Sequence, residues 1–174
     1  LFGFAYAAML PVIGEETLNL GPAAIGALAA VEGFGALVGA VLAAFIARPA
    51  HFNRIFVIGS VVYLAMIAAF SASTSVPISA TALLIAGLGL AGFAAMQGAI
   101  LLSSAPAHLR GRVMGVLMVC IGAAPIGVLQ LGWLAEQLGA AQAVHFTALV
   151  GVAMLLACIW RFPQMLRVPK TNAG

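Results

Sequence analysis

The sequence has very few charged residues. Asp, Glu, Lys and Arg make up 6% of its 174 residues, against about 25% in an ordinary soluble domain. Hydrophobic residues make up 64%, and the mean hydropathy is +1.20. Because a water-soluble surface needs roughly 25–35% charged residues, this composition excludes a soluble enzyme, a nucleic-acid-binding domain and a disordered segment. Lipid must be the solvent for most of the chain.

Cysteine and catalytic motifs are equally scarce. Cys120 and Cys158 lie inside apolar runs, without the number or spacing of a disulfide framework or a metal site. We expect both to be buried as small hydrophobic residues, with no metal and no cofactor. The chain contains no Gly-Lys-Ser/Thr phosphate-binding loop and no Gly-x-Ser sequence. This excludes direct use of ATP and an intramembrane serine protease, so we expect no enzyme activity.

Six hydrophobic runs separated by polar turns make up most of the sequence. In lipid, backbone groups must bond within their own segment, so each run is predicted to be a helix. The first run would cover only about 20 Å at roughly 1.5 Å per residue, which is short of the ~30 Å hydrocarbon core. We therefore expect the sequence to start inside a helix of a longer protein. The predicted bundle covers residues 1–162 and a cytoplasmic tail covers 163–174, with spans at about 1–14, 23–47, 54–71, 78–104, 111–138 and 141–162.

The basic residues occupy alternate loops. Arg48 and Arg54 flank the second loop, and Arg110 and Arg112 lie at the fourth, whereas the first and fifth loops carry acids and no base. Since basic loops face the cytoplasm, the second and fourth loops and the C-terminal region are predicted to be cytoplasmic. Both ends of the segment are then cytoplasmic, as an even number of spans requires.

Three sequence stretches carry a resemblance to a known family. They are Phe-Gly-Phe-Ala-Tyr at 2–6, Glu-Gly-Phe-Gly-Ala-Leu-Val-Gly-Ala at 32–40, and Leu-Arg-Gly-Arg-Val-Met-Gly at 109–115. Together they resemble the C-terminal six-helix half of the major facilitator superfamily (MFS), in the enterobactin-exporter-like and multidrug-efflux branch. The resemblance covers essentially the whole chain.

This resemblance implies a fold and a set of partners. The fold is an all-α membrane protein, whose six transmembrane helices form one half of a twelve-helix MFS bundle. Each half is a 3+3 inverted repeat, and the Gly-rich stretch at 35–39 has a weak echo at 123–127 that chance explains equally well. The implied partners are the lipid bilayer, the N-terminal half of the same transporter, a small-molecule substrate and protons. The implied location is a bacterial inner membrane.

Glu32 is the acid placed deepest within a predicted span. Helical spacing puts it on the same face as Gly35 and Gly39, opposite the bulky Phe34 and Leu37. A charged carboxylate in the bilayer centre costs several kcal/mol, by estimates of about 2.5–3.5 upward, and protonation avoids that cost. Two interpretations remain open: proton coupling or substrate contact, and a neutral Glu hydrogen-bonded to a backbone carbonyl.

The resemblance also implies substrate contacts, because the first and fourth helices of each MFS half line the central cavity. A mostly apolar wall with a few polar groups suits a hydrophobic or amphipathic substrate. Interhelical hydrogen bonding is the open alternative for Gln97, and Gln130 has the same status with less support. The candidate cavity residues are Tyr6, Met9, Phe93, Gln97, Ile100 and Gln130.

Further residues are expected to act in gating and packing. Arg110 and Arg112 form a cytoplasmic gate with acids of the other half, or else set topology and contact lipid headgroups. Pro125 is expected to kink the fifth helix. Close helix approach is predicted at three glycines, namely Gly33, Gly35 and Gly39.

Two functional hypotheses follow. The first is a secondary active exporter, working by alternating access, to which this chain contributes one bundle. The second is a self-contained six-helix membrane protein, either a homodimeric half-transporter or a channel. A polar filter or paired half-helices would favour a channel, and the sequence contains neither motif.

Overall fold

A computed structural model describes residues 4–162. Every regular element in this range is helical, which confirms the all-α class. Short 3₁₀ turns cover Phe4–Ala8, Pro49–His51 and Ala107–Leu109. The α-helices are α1 (Leu10–Glu16), α2 (Pro22–Ile46), α3 (Phe52–Ala72), α4 (Val76–Ser104), α5 (Arg110–Gly122), α6 (Ala124–Leu138) and α7 (Ala140–Arg161). The predicted tail over 163–174 lies outside the described residues.

Within residues 4–162, five helical segments are long and apolar enough to cross a membrane. Their bounds lie within two residues of the predicted second to sixth spans, except that the segment Ala107–Leu138 begins four residues before the predicted fifth span. Four of the segments are α2, α3, α4 and α7, and the remaining one, Ala107–Leu138, includes both α5 and α6. The chain is therefore an integral membrane protein.

The first predicted span is not a single helix over its described part. A 3₁₀ turn ends at Ala8, and the seven-residue α1 begins at Leu10, with Pro11 in its first turn. Proline has no N–H, and its ring collides with the carbonyl four residues earlier, here that of Ala7. Pro11 therefore starts a new helix instead of continuing the preceding one, which the hydrophobic run alone did not predict.

The fifth predicted span is also divided. Ala123 ends α5 and caps α6, and Pro125 lies in the first turn of α6. The Ile126 N–H donates to the Ala123 carbonyl at 3.1 Å, a tight turn between the two helices. The expected kink at Pro125 is thus a break two residues before the proline.

The helix α4 lies at the centre of the packing. It packs against α2 on one side and α3 on the other, while α3 also packs against α7, and α7 against α6. The turn Phe4–Ala8 packs against α6. The largest buried side chains of this core include Ile67, Phe70, Leu83 and Val144. By contrast, α5 contributes no buried residue.

Glycines allow α4 to approach both neighbours closely. A Cβ added at Gly35 would collide with the Leu84 carbonyl, and one at Gly39 would lie 2.9 Å from Leu88 Cα. On the other side, a Cβ at Gly89 would lie 2.7 Å from the Gly59 carbonyl oxygen. Two of the three expected packing glycines therefore lie at the α2–α4 interface.

Gly33 differs from that expectation. It is exposed, and a Cβ there would meet no described atom within 4 Å. The reason is helical geometry, since Gly33 lies two residues before Gly35 and so about 200° away around α2. Its face also carries exposed Phe34 and Leu37.

The two cysteines are exposed rather than buried. Cys120 lies on α5, which has no buried residue, and Cys158 lies in the last turns of α7. The expectation of burial fails because an apolar run in a membrane protein is not all core. A helix face toward lipid is as hydrophobic as one toward protein.

Candidate functional site

Glu32 is held at the closest approach of α2 and α4. It lies about 15 Å along α2 at roughly 1.5 Å per residue, near the middle of the helix. A Cβ added at Gly87 of α4 would collide with the Glu32 carbonyl oxygen and lie 2.7 Å from the Ala36 nitrogen. The absence of a side chain at Gly87 therefore fixes where the Glu32 backbone sits.

Two tyrosines from other segments lie near the Glu32 side chain. Tyr6 is 2% exposed, and its hydroxyl interacts with the Glu32 carboxyl. Tyr63 of α3 is buried and also within electrostatic range of that carboxyl. These are the only tyrosines in the sequence. We call Tyr6, Glu32 and Tyr63 the Glu32 cluster.

Aromatic contacts fix the Tyr6 ring. It meets Tyr63 edge-on, with centroids 6.3 Å apart and planes at 73°, and it meets Phe70 at 6.3 Å and 71°. Edge-to-face pairs at such distances are favourable. The N-terminal segment, α2 and α3 thus converge on one carboxyl.

The polar atoms of this cluster are incompletely satisfied. Glu32 Oε1 and the Tyr6 hydroxyl are both buried, and within the described chain neither makes a hydrogen bond of normal geometry. Oε1 makes no contact with a backbone carbonyl, but a neutral carboxyl donates through only one of its two oxygens, so both interpretations of Glu32 stay open. A buried polar atom without a partner costs free energy, and such groups often mark functional sites.

A second candidate site lies between α3 and α4. Gln97 and Ile100, both predicted substrate contacts, line a cavity of about 410 Å³ together with Asn53, Phe56, Val57 and Leu101. Phe93, also predicted, packs on Phe56 with ring centroids 5.3 Å apart. We call this space the α3–α4 cavity. Sequence patterns do not single out Asn53 and Phe56, because they lie on a different helix from Gln97.

The remaining predicted cavity residues lie elsewhere. Tyr6 is buried in the core as part of the Glu32 cluster, so it does not line an open cavity within this bundle. Met9 is half-buried against the same core, and Gln130 is exposed on α6. The six predicted residues therefore lie in three places: the core around the Glu32 cluster, the α3–α4 cavity and the exposed surface of α6.

The two predicted gate residues are exposed at the start of α5. The Arg110 Nε donates to the Ala105 carbonyl at 3.3 Å. This hydrogen bond ties the first residue of α5 back to the end of α4. Arg112 lies one half-turn further along the same exposed helix.

His145 makes a contact that its sequence position does not indicate. Its Nδ1 lies 3.0 Å from the Ala68 carbonyl oxygen and 3.3 Å from Ser71 Oγ. The Ser71 hydroxyl donates to the same carbonyl at 2.9 Å. His145 thus joins α7 to α3.

Comparison with known proteins gives one clear result. A model of the Major Facilitator Superfamily matches residues 1–174. No curated protein and no solved structure gives a match. With its membrane-spanning all-α fold and a family match over its whole length, the chain belongs to the Major Facilitator Superfamily.

Proposed function

We propose that this chain is the C-terminal six-helix half of a proton-coupled exporter of small hydrophobic or amphipathic molecules, of the drug or siderophore type. Members of the superfamily are membrane transporters and not enzymes. The proposal extends that family role to a direction, a coupling ion and a class of substrate. The observation that carries it is Glu32, a half-buried acid whose Oε1 atom is buried and makes no hydrogen bond of normal geometry within the described chain.

Glu32 is proposed to carry the coupling proton. A carboxyl deep in an apolar bundle is favoured in its neutral form, because a buried charge costs several kcal/mol unless it is paired. The hydroxyls of Tyr6 and Tyr63 lie within electrostatic range of the carboxyl and are donors able to stabilise its ionised form. Moving those donors toward or away from Glu32 would change how readily it releases its proton.

The segment that carries Tyr6 and the helix that carries Glu32 pack against different neighbours. The Tyr6 segment is separated from α1 by the break before Pro11 and packs against α6, whereas Glu32 is fixed against α4. A shift of the Tyr6 segment relative to α2 would therefore alter the Glu32 cluster. Alternating access by the two halves of a transporter is a motion that would produce this shift.

The proposed orientation follows the basic residues. We propose that two loops and the C-terminal region lie at the cytoplasmic face of a bacterial inner membrane. The two loops are those at Pro49–His51 and Ala107–Leu109. Arg110 and Arg112 then lie on that face, where they are proposed to form a gate with acids of the other half. The self-contained six-helix alternative, a homodimeric half-transporter or a channel, is favoured by no contact in the described chain.

The test is Glu32→Gln in the full-length transporter. Gln keeps the shape of the side chain but cannot release a proton. We expect proton-driven export, measured as substrate efflux from inverted vesicles under a pH gradient, to fall at least tenfold. Substrate exchange without a gradient should continue, because binding does not need the proton.

Glu136→Gln is the matched control. Glu136 is exposed at the outer end of α6, so the same chemical change there should leave export at the wild-type rate. Wild-type efflux and unchanged pH dependence in Glu32→Gln would refute the coupling role.

A further inference from the structure

The α3–α4 cavity has a lining suited to a particular class of ligand. Its volume of about 410 Å³ lies in the range of small-molecule sites, about 300–1,000 Å³. Among residues 4–162, the side chains that line it are those of Asn53, Phe56, Val57, Gln97, Ile100 and Leu101, and none of these is charged. A charged ligand would lose its hydration here without gaining a counter-ion, so the lining selects an uncharged molecule.

Two amides supply the polar contacts of the cavity. Asn53 lies at the start of α3, and Gln97 lies about 10 Å before the end of α4 at roughly 1.5 Å per residue. Neither amide has a hydrogen-bond partner among residues 4–162. Each amide has both donors and an acceptor, so together they can bind a carbonyl or a hydroxyl group.

The apolar part of the lining suits a flat ring. Phe56 lies in the wall, and the Phe93 ring packs against it with the two ring planes inclined at 33°. Aromatic pairs favour such offset arrangements, and an incoming ring can extend the stack. A hydrocarbon lipid tail would leave both amides unpaired, so the amides disfavour it as the occupant.

We propose that the α3–α4 cavity binds the uncharged hydrogen-bonding group and the aromatic or apolar body of a small amphipathic molecule. That this molecule is the transported substrate rests on the proposed export function. The binding site itself rests only on the cavity and its two amides. It is also separate from the Glu32 cluster, since the two share no residue.

Benzophenone is a suitable probe for this site. It is uncharged, its carbonyl accepts hydrogen bonds from amides, and under ultraviolet light a nearby C–H bond adds across that carbonyl. The full-length protein, in nanodiscs of its native lipid, would be irradiated with increasing benzophenone, and labelled peptides would be quantified by mass spectrometry. We expect labelling of residues 97–101 to saturate, while labelling of Phe34 and Leu37, which are exposed on α2, rises linearly.

Substitutions define the site. Asn53→Leu and Gln97→Leu each remove a hydrogen bond worth about two- to tenfold in affinity. The benzophenone concentration that gives half-maximal labelling should therefore rise by that factor. Gln137→Leu, the same change on the exposed end of α6, should cause no shift. Ile100→Trp, which fills the cavity, should abolish saturable labelling, and Leu101→Phe provides a second filling variant if the first does not fold.

Other outcomes would overturn the proposal. Labelling of residues 97–101 that does not saturate would exclude a selective site for uncharged molecules. So would equal saturable labelling by the anionic benzoylbenzoate, or labelling that saturates in detergent but not in native lipid. Glu32→Gln should retain saturable labelling while losing proton-driven export. If labelling persists and Glu32→Gln exports normally, the proposed coupling fails and the binding site stands.

Discussion

At the scale of single residues, the Tyr6 side chain has two parts with different roles, a ring that packs and a hydroxyl that is polar. Its ring contacts Tyr63 and Phe70, whereas its buried hydroxyl makes no hydrogen bond of normal geometry within the described chain. Removing an unsatisfied hydroxyl costs little stability, while removing a buried ring typically costs about 3–5 kcal/mol. The two parts of this side chain therefore predict different effects.

Tyr6→Phe is expected to change the free energy of unfolding by less than about 1 kcal/mol and to reduce proton-driven export. Tyr6→Ala is expected to lower stability strongly, because it empties the space beside Phe70. Thermal unfolding in detergent gives the first quantity and vesicle efflux the second. A Tyr6→Phe protein as unstable as Tyr6→Ala would mean that the hydroxyl has a structural partner after all.

The sequence predicts some of these residues and not others, for a physical reason. Glu32 stands out because an acid within an apolar run is costly, and helical spacing places it on the small-residue face. Its neighbour Tyr63 lies 31 positions later on another helix, so no local pattern connects the two. The one available signal is spacing, since Phe56, Tyr63 and Phe70 repeat every seven residues on one face of α3.

At the scale of helices, glycine decides how closely α4 approaches its neighbours. Gly87→Ala would push a methyl group into the backbone of Glu32 and Ala36. Overpacking of this kind typically costs about 1–3 kcal/mol, and backbone atoms cannot rotate away. We expect a loss of stability in that range on thermal unfolding, together with impaired export, because Glu32 would be displaced.

Gly98→Ala is the control on the same helix. A Cβ at Gly98 would meet no described atom within 4 Å, and alanine is a better helix former than glycine by about 1 kcal/mol. We therefore expect unchanged or slightly higher stability. If the two variants unfold at the same temperature, the close α2–α4 contact is not the feature that determines stability.

Helix positions are predictable from the sequence to the extent that hydrophobic runs and turn residues mark them. Loops such as those around Arg48-Pro49 and Ala105-Pro106 place the helix ends within two residues. The breaks at Pro11 and Ala123 are harder to place, because apolar composition continues across them. In lipid a proline within a run is tolerated, so only the backbone hydrogen bonds show whether the helix continues.

At the scale of the whole molecule, the apolar surface is unevenly distributed. The helices α3 and α4 are nearly half buried along their apolar windows, whereas the Ala107–Leu138 segment is 6% buried. Large side chains such as Phe45, 83% exposed, and Val119 extend from α2 and α5. Lipid accepts such a surface, and a second helical bundle would accept it equally, so exposure alone does not identify the neighbour.

The intact mass of the native protein distinguishes these neighbours. The proposed C-terminal half of a twelve-helix transporter would belong to a polypeptide of roughly twice the 17.6 kDa of this chain or more. We therefore expect mass spectrometry of the protein isolated from its source membrane, with an antibody to residues 105–112, to give such a mass. A mass near 17.6 kDa would instead require two copies to enclose the transport path, with a Glu32 from each, and would contradict the proposed single N-terminal half.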